Sequence, residues 1–366
     1  MQAPGTIVTI AMAALVLAAA PLSADHTIEH LVDEAGLRDG STAMRDIPSW
    51  DSTRVILVRD IGLDLADFEG ANLVVVASLE EARTHVAEAG AILGFCSDEL
   101  LAEGPHVSWV QIYSAGADRC ATSPKFKNDN VVLTNMQKMS SPVIAEHVIA
   151  MMFAVLRNLP AYMRDSESGE WRRAERYTRG MTTARGKTML VLGLGGIGTE
   201  VARRGSALGM RVIATRNSSR EGPEFVDYVG LSDELLTLAG EADVIINALP
   251  LTGDTRGLLG EEFFAAAAKE PAPYFINVGR GATVDTDALL AALQEGRLAG
   301  AGLDVTDPEP LPPEHGLWRA ENVIITPHVS GRGSDRDRHR LLVQENIRRY
   351  LAGDALLNVV DTRRGY

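Results

Sequence analysis

Three polar side chains, Arg280 in INVGRG, Glu309 in DPEP and His328 in TPHVSG, follow the glycine run GLGGIG at 193–198 in a fixed order along the chain. Their types define a chemistry before any fold is considered. A guanidinium grips a planar carboxylate through two parallel N–H donors. An imidazole kept protonated and oriented by a carboxylate can deliver a proton to the oxygen that turns negative when hydride reaches a ketone carbon. Taken singly, each residue has a plain structural explanation: Arg280 as an ion-pair partner, Glu309 as a surface acid in a proline-rich loop, His328 as a packed histidine. Their order behind a nucleotide-type turn favours the catalytic set.

That turn, Gly193-Leu194-Gly195-Gly196-Ile197-Gly198, directly follows the apolar run Thr188–Leu192 and opens a helical pattern from Thr199 to Leu208. In such a strand-turn-helix unit Gly193 permits the tight turn, Gly195 lets backbone approach a pyrophosphate, and Gly198 lets helix and strand pack closely. Free amides at the helix N-terminus, around Gly196 and Ile197, then face the phosphates. A purely structural glycine turn is the alternative. The next strand, Arg211–Ala214, should end at the residue that reads the adenosine ribose, where an NAD site wants a carboxylate. Here the chain reads Thr215-Arg216-Asn217-Ser218-Ser219-Arg220. Arg216 with Ser218 suits a 2′-phosphate, so NADP(H) is expected over NAD(H), against the alternative of a solvated loop arginine.

The elements that must position these residues alternate. Short β-rich runs at Arg54–Val58, Asn72–Ala77, Ala91–Phe95, Val107–Gln111 and Val131–Thr134 predict a first set of parallel strands with crossover helices. An apolar helix is expected from Pro142 to Leu159, with Pro160 as its stop, followed by a surface connection from Arg164 to Lys187 that carries Glu170 and Trp171. A second parallel series runs through Thr188–Leu192, Arg211–Ala214, Val244–Asn247, Tyr274–Val278, Gly302–Asp304 and Val323–Thr326. Amphipathic patterns near Thr27 to Leu37 and from Asp335 to Leu351 flank the two series, and the second could return to the first domain.

At 366 residues, two domains with a ligand cleft between them are the expectation. A net charge of −14 and a pI near 5.1 leave no broad positive field for nucleic acid, so any anion site must be local. Cys96 and Cys120 are the only cysteines; they make neither a disulfide framework nor a zinc spacing, and are expected as buried or idle thiols. His26 and His30 stand one helical turn apart without further ligand candidates, so no metal is expected.

Residues 1–24 are apolar from Ile7 to Ala20 and end in Pro21-Leu22-Ser23-Ala24, in the manner of an export signal cleaved after Ala24. No Lys or Arg precedes Arg38, so a mis-assigned start or an uncleaved apolar helix is the alternative. Export would remove a dinucleotide enzyme from its cytoplasmic cofactor supply, which leaves the compartment open. No membrane attachment is expected of the mature part.

Over about residues 54–362 the chain resembles the D-isomer-specific 2-hydroxyacid dehydrogenases of the glyoxylate/hydroxypyruvate reductase type. The resemblance rests on YSAGAD at 113–118, VIAEHVIAMMFAVLRNLP at 143–160, LGLGGIG at 192–198, ALPLT at 248–252, FINVGRG at 275–281, GAGLDV at 300–305, EPLP at 309–312 and ITPHVSG at 325–331. It implies an α/β fold of two Rossmann-like parallel-sheet domains, with a cofactor domain at 159–329 inserted into a substrate domain made of 54–158 and 330–366. Residues 25–53 form an extension without an assigned role. It further implies Arg280 as binder of the substrate and its carbonyl oxygen, His328 as proton donor and Glu309 as its partner. Amides around Ala115 and Gly116 would hold the substrate carboxylate, Leu249, Pro250 and Val278 would border the cofactor, and Asp304 would face the nicotinamide carboxamide. A small 2-keto acid is the implied substrate and a homodimer through the cofactor domain the implied assembly. Gly196 departs from the family by replacing a basic residue often found inside the turn. Glu146-His147 in mid-helix and Trp318 are read as structural. A dinucleotide-responsive binding protein on the same scaffold is the reading from another class, and the intact set Arg280, Glu309 and His328 argues against it.

Overall fold

The computed structural model describes residues 27–126, 131–171, 181–333 and 335–363. The leader-like run 1–24 and His26 lie outside them. Ahead of the first parallel sheet stand helix α1 (Ile28–Ala35) and strand β1 (Asp39–Ala43). That sheet consists of β2 (Val55–Val58), β3 (Leu73–Val75), β4 (Ala89–Leu93), β5 (Trp109–Gln111) and β6 (Val132–Thr134), in the order β3-β2-β4-β5-β6. Helices α2 (Leu79–His85), α3 (Asp98–Glu103) and α4 (Asp118–Ala121) lie along it in sequence, followed by α5 (Ser141–Leu156) and α6 (Leu159–Glu167).

The larger sheet takes β7 (Thr188–Leu192), β8 (Arg211–Thr215), β9 (Tyr228–Gly230), β10 (Val244–Asn247), β11 (Tyr274–Asn277), β12 (Gly300–Leu303) and β13 (Val323–Ile325) in the order β13-β12-β11-β10-β7-β8-β9. Between its strands run α7 (Gly196–Ala207), α8 (Leu235–Glu241), α9 (Glu261–Ala267) and α10 (Thr286–Gln294). Helix α11 (Arg336–Ala352) and strand β14 (Ala355–Leu357) then return to the smaller sheet. All pairings within both sheets are parallel, and β10 and β11 are buried at every position, as strands covered on both faces must be. The fold is therefore α/β, with two Rossmann-like sheets and the larger one inserted within the smaller. Its order reverses direction between β7 and β10, which opens a crevice at the strand ends there.

Three expectations change. The long helix is broken at Asn158, which adopts a left-handed conformation at φ 52°. Pro160 then sits in the first turn of α6 rather than acting as a stop, because its missing N–H costs nothing there. The expected surface connection thus begins as helix; Trp171 is exposed, and 172–180 lie outside the described residues. The buried face of α5, including Val148, Met152 and Val155, joins the core of the larger sheet with Met189, Val191 and Ile246. That core accordingly takes in an element upstream of the 158/159 limit.

The third change concerns the cysteines. Cys96 and Cys120 are joined in a disulfide, not held as separate thiols. Strands β4 and β5 are parallel neighbours, so the loop after one and the helix after the other emerge side by side, with the two Cα atoms 5.9 Å apart. A count of cysteines says nothing about that adjacency.

The extension is part of the smaller lobe. β1 pairs antiparallel with β14, Arg338 on α11 bonds Glu34 on α1, and Trp50 Nε1 donates to the Tyr350 carbonyl at 2.9 Å. Tyr350 in turn stacks on Trp109 of β5, with ring centroids 5.3 Å apart. Among the described residues no single helix is long and apolar enough to cross a membrane.

Candidate active site

The glycine turn has the geometry that its sequence predicts. Gly193 takes φ +90°, which favours glycine, and a Cβ on Gly198 would fall 2.0 Å from the Gly193 carbonyl oxygen. Around Gly195 nothing lies within 4 Å of where a Cβ would stand. The turn is thus tight beneath and open above, at the N-terminus of α7 and beside the crevice between β7 and β10. Leu249 and Pro250 border it: Leu249 Cδ2 is 3.3 Å from a Cβ built on Gly193, and the Leu249 carbonyl is 2.7 Å from one built on Gly279. Ile197 is half-buried in the first turn of α7, and Val278 is buried at the end of β11. These residues fit a dinucleotide, whose pyrophosphate needs open backbone amides at a helix start.

At the end of β8, the Arg216 side chain makes one hydrogen bond among the described residues, from Nη1 to the Glu221 carbonyl at 2.9 Å, and Ser218 beside it is exposed. Arg220 is committed elsewhere, to the Tyr228 hydroxyl at 2.9 Å and to Glu234 at 2.6 Å. Of the two loop arginines, Arg216 is the one with donors to spare.

Arg280 follows β11 and crosses toward the smaller lobe. Its Nη1 donates to the Gly279 carbonyl at 2.8 Å, while Nε and Nη2 each reach Asp118 Oδ1 at 3.3 Å. A Cβ on Gly116 would lie 1.6 Å from Nη2, so the guanidinium fits only against a glycine. The carbonyls of Ala115 and Gly116 are taken by Asn135 Nδ2 and Ser114 Oγ, each at 2.8 Å. Among the described residues neither amide of that pair has an acceptor. The result is a guanidinium and backbone donors at one spot, all suited to a carboxylate.

His328 and Glu309 meet across the loops that follow β13 and β12, with Nδ1 2.7 Å from Glu309 Oε1. His328 sits in a left-handed conformation at φ 52°, a state held by its surroundings. Asp304, fully buried, supplies that hold. Its Oδ1 accepts from the Val329 amide at 2.8 Å and from Thr326 Oγ1 at 2.7 Å, and its Oδ2 accepts from the Ser330 amide at 3.0 Å. Burial pushes the Asp304 carboxyl upward, but bonds from Ser330, Thr326 and Val329 outweigh it and hold the group below its ordinary range. Asp304 thus accepts three bonds from the loop that carries His328. His147 on α5 supports the same cluster through Thr326 Oγ1 at 3.0 Å, whereas Glu146 is exposed. Trp318 is half-exposed, with Nε1 bonded to the Pro312 carbonyl at 3.0 Å.

The loops behind these side chains interlock. A Cβ on Gly281 would fall 1.9 Å from the Thr306 carbonyl, so the turn after Arg280 abuts the loop leading to Glu309. Beneath it, Asn247 donates to Asn277 Oδ1 at 2.9 Å and to Thr283 Oγ1 at 2.8 Å, and Asn277 Oδ1 also accepts from the Gly279 amide. Neither asparagine, nor Asp118 or Asn135, was singled out from sequence. The signal was there: a polar residue closing each fully apolar strand, VIIN and YFIN, must be satisfied at the strand end.

A two-sheet α/β chain with a dinucleotide turn and strand-end Arg, Glu and His is built as a nicotinamide-dependent oxidoreductase. Comparison with known proteins narrows this. Residues 149–330 match the family model described as the D-isomer specific 2-hydroxyacid dehydrogenase NAD binding domain. A glyoxylate reductase of Thermofilum pendens is 31% identical over 290 residues, covering 77% of this chain and 85% of that protein. A glyoxylate/hydroxypyruvate reductase A of Arabidopsis thaliana is 32% identical over 282 residues, covering 76% and 87%. Among solved structures, an NADPH-dependent glyoxylate/hydroxypyruvate reductase from Sinorhizobium meliloti in complex with NADP and sulfate superposes with a TM-score of 0.73 at 29% identity, covering 86% of this chain and 100% of that one. The chain belongs to the D-isomer specific 2-hydroxyacid dehydrogenases, oxidoreductases served by a nicotinamide dinucleotide.

Proposed function

We propose that the protein reduces a small 2-keto acid of the glyoxylate or hydroxypyruvate type to the D-2-hydroxy acid, with NADPH preferred over NADH. The observation that carries this reading is the Arg280 guanidinium lying against Gly116, where free amides of the smaller lobe meet the strand ends of the larger. When bound in the cleft, the dinucleotide would supply hydride to the keto carbon. Arg280 and the amides of Ala115 and Gly116 grip the carboxylate and fix which face of the ketone is presented. Glu309 holds His328 through Nδ1, leaving Nε2 to give its proton to the carbonyl oxygen. Asp304 acts one step back, by holding the loop of His328 in place.

Arg216 with Ser218 supports a 2′-phosphate site, and the NADP-bound relative supports the same preference. Family likeness supports a homodimer through the dinucleotide domain and the insertion of that domain into the substrate domain. The Cys96–Cys120 disulfide supports an oxidising compartment, in line with the signal-like leader.

Mixing the purified protein with NADPH and a panel of 2-keto acids tests the reading through loss of the reduced-nicotinamide absorbance. His328→Gln should lower kcat about thousandfold while dinucleotide binding stays as in the wild type. Unchanged turnover in that variant would remove His328 from the mechanism, and faster turnover with NADH would overturn the cofactor preference.

A further inference from the structure

Lys138, in the loop ahead of α5, stands over the glycine turn. A Cβ on Gly196 would meet Lys138 Cγ at 2.9 Å and Ser141 Oγ at 2.8 Å, so position 196 has no room for a side chain while the lysine stem is there. Lys138 is also one of four non-glycine residues with positive φ among those described, at 72°. Such a backbone tends to collect at ligand clamps. Its ammonium donates to the Gly36 carbonyl at the end of α1, a neutral acceptor. Among the described residues no carboxylate is recorded against it, and Arg38 adds a second positive charge nearby. Burial first, and Arg38 second, push the Lys138 amine below its ordinary value. A half-buried cation is thus kept beside an anion-type helix start with nothing but a carbonyl to face.

We propose that Lys138 is the cation of the dinucleotide's pyrophosphate site, delivered from the loop before α5 rather than from the turn itself. The proposal rests on the dinucleotide reading above. When the pyrophosphate settles on the amides at the start of α7, the Lys138 ammonium exchanges the Gly36 carbonyl for a phosphate oxygen, a stronger, charge-assisted bond. Gly196 is the other half of the arrangement, since its missing side chain makes room for the lysine stem. In a chain of net charge −14 this local cation supplies what no broad field can. Two jobs are then divided: Arg216 distinguishes NADPH from NADH, and Lys138 binds both.

Equilibrium titration of the full-length protein with NADH and with NADPH, followed by intrinsic fluorescence, tests this without turnover. Lys138→Met keeps the stem that packs on Gly196 and removes the charge. It should raise Kd about tenfold for both dinucleotides and flatten the dependence of Kd on salt. Lys138→Arg should stay within about threefold of the wild type, and Arg216→Ala should weaken NADPH alone. A Lys138→Met protein that binds both dinucleotides like the wild type, with the same salt dependence, overturns the proposal and leaves the dinucleotide reading standing. A drop in melting temperature without a change in Kd also overturns it, in favour of a tether to Gly36. A wild-type protein that binds neither dinucleotide overturns both.

Discussion

At the strand ends of the larger sheet the working atoms belong to side chains, and each is held by buried polar groups: Asn247, Asn277 and Thr283 beneath the Arg280 turn, Asp304 beneath His328. In the smaller lobe the offered atoms belong to the backbone at Ala115 and Gly116, held by Asn135 and Ser114 and flanked by a covalent link from Cys120 to Cys96. The contrast follows from what each lobe must do. A proton donor and a guanidinium need orientation, which satisfied buried hydrogen bonds give. A backbone anion cradle needs a fixed loop, and few side chains are available along 113–118 to fix it. One lobe is therefore rigid through its interior and the other through its connections.

The most damaging way to break this division is to add one carbon to the backbone cradle. Gly116→Ala puts a methyl group where the Arg280 guanidinium lies, and kcat/KM for the keto acid should fall about thousandfold with NADPH affinity unchanged. Retention of activity would mean that Arg280 works from another position. Removing the covalent link comes next. The paired change Cys96→Ser and Cys120→Ser opens a loop of sequence separation 24 and should cost about 3 kcal/mol in denaturant unfolding. Steady-state assays should show the keto-acid KM rising several-fold while the dinucleotide Kd holds. A rise in both would show that the staple serves the whole molecule rather than one lobe.

The smallest effect concerns the buried acid of the larger lobe. Because the Asp304 carboxyl is held below its ordinary value of 3.8, its contribution to stability is present above that value and is lost as pH falls through the folded-state value. Melting temperatures taken between about pH 5 and 2 should therefore fall less steeply for Asp304→Asn than for the wild type. Equal slopes would assign the acid sensitivity to other groups.

Local patterns in the chain were the legible ones. The turn at 193–198, the strand that precedes it and the motifs carrying Arg280 and His328 each lie within a dozen residues, where spacing and conformation are tightly linked. What escaped depends on distant neighbours. Cys96 and Cys120 meet because β4 and β5 are adjacent, and Asp118 matters because Arg280 arrives from the other sheet. Strands β1, β9 and β14 were missed because they are short and lie at sheet edges or in an isolated pair, where little apolar alternation is needed. The helix break at Asn158 was hidden because apolar residues resume at Leu159 after only Arg157 and Asn158, and Pro160 suits a first turn as well as a stop.

The pairing of β1 with β14, and of Trp50 with Tyr350 across 300 positions, has a consequence for how the molecule is made. During synthesis the strands of the smaller sheet leave the ribosome first, yet the helix that covers Trp109 comes after every strand of the larger sheet. The dinucleotide lobe can complete its core while its older neighbour still waits, with apolar surface open to chaperones and to other chains. The chain order thus lets the dinucleotide lobe fold ahead of the substrate lobe, whose core needs a helix made after it.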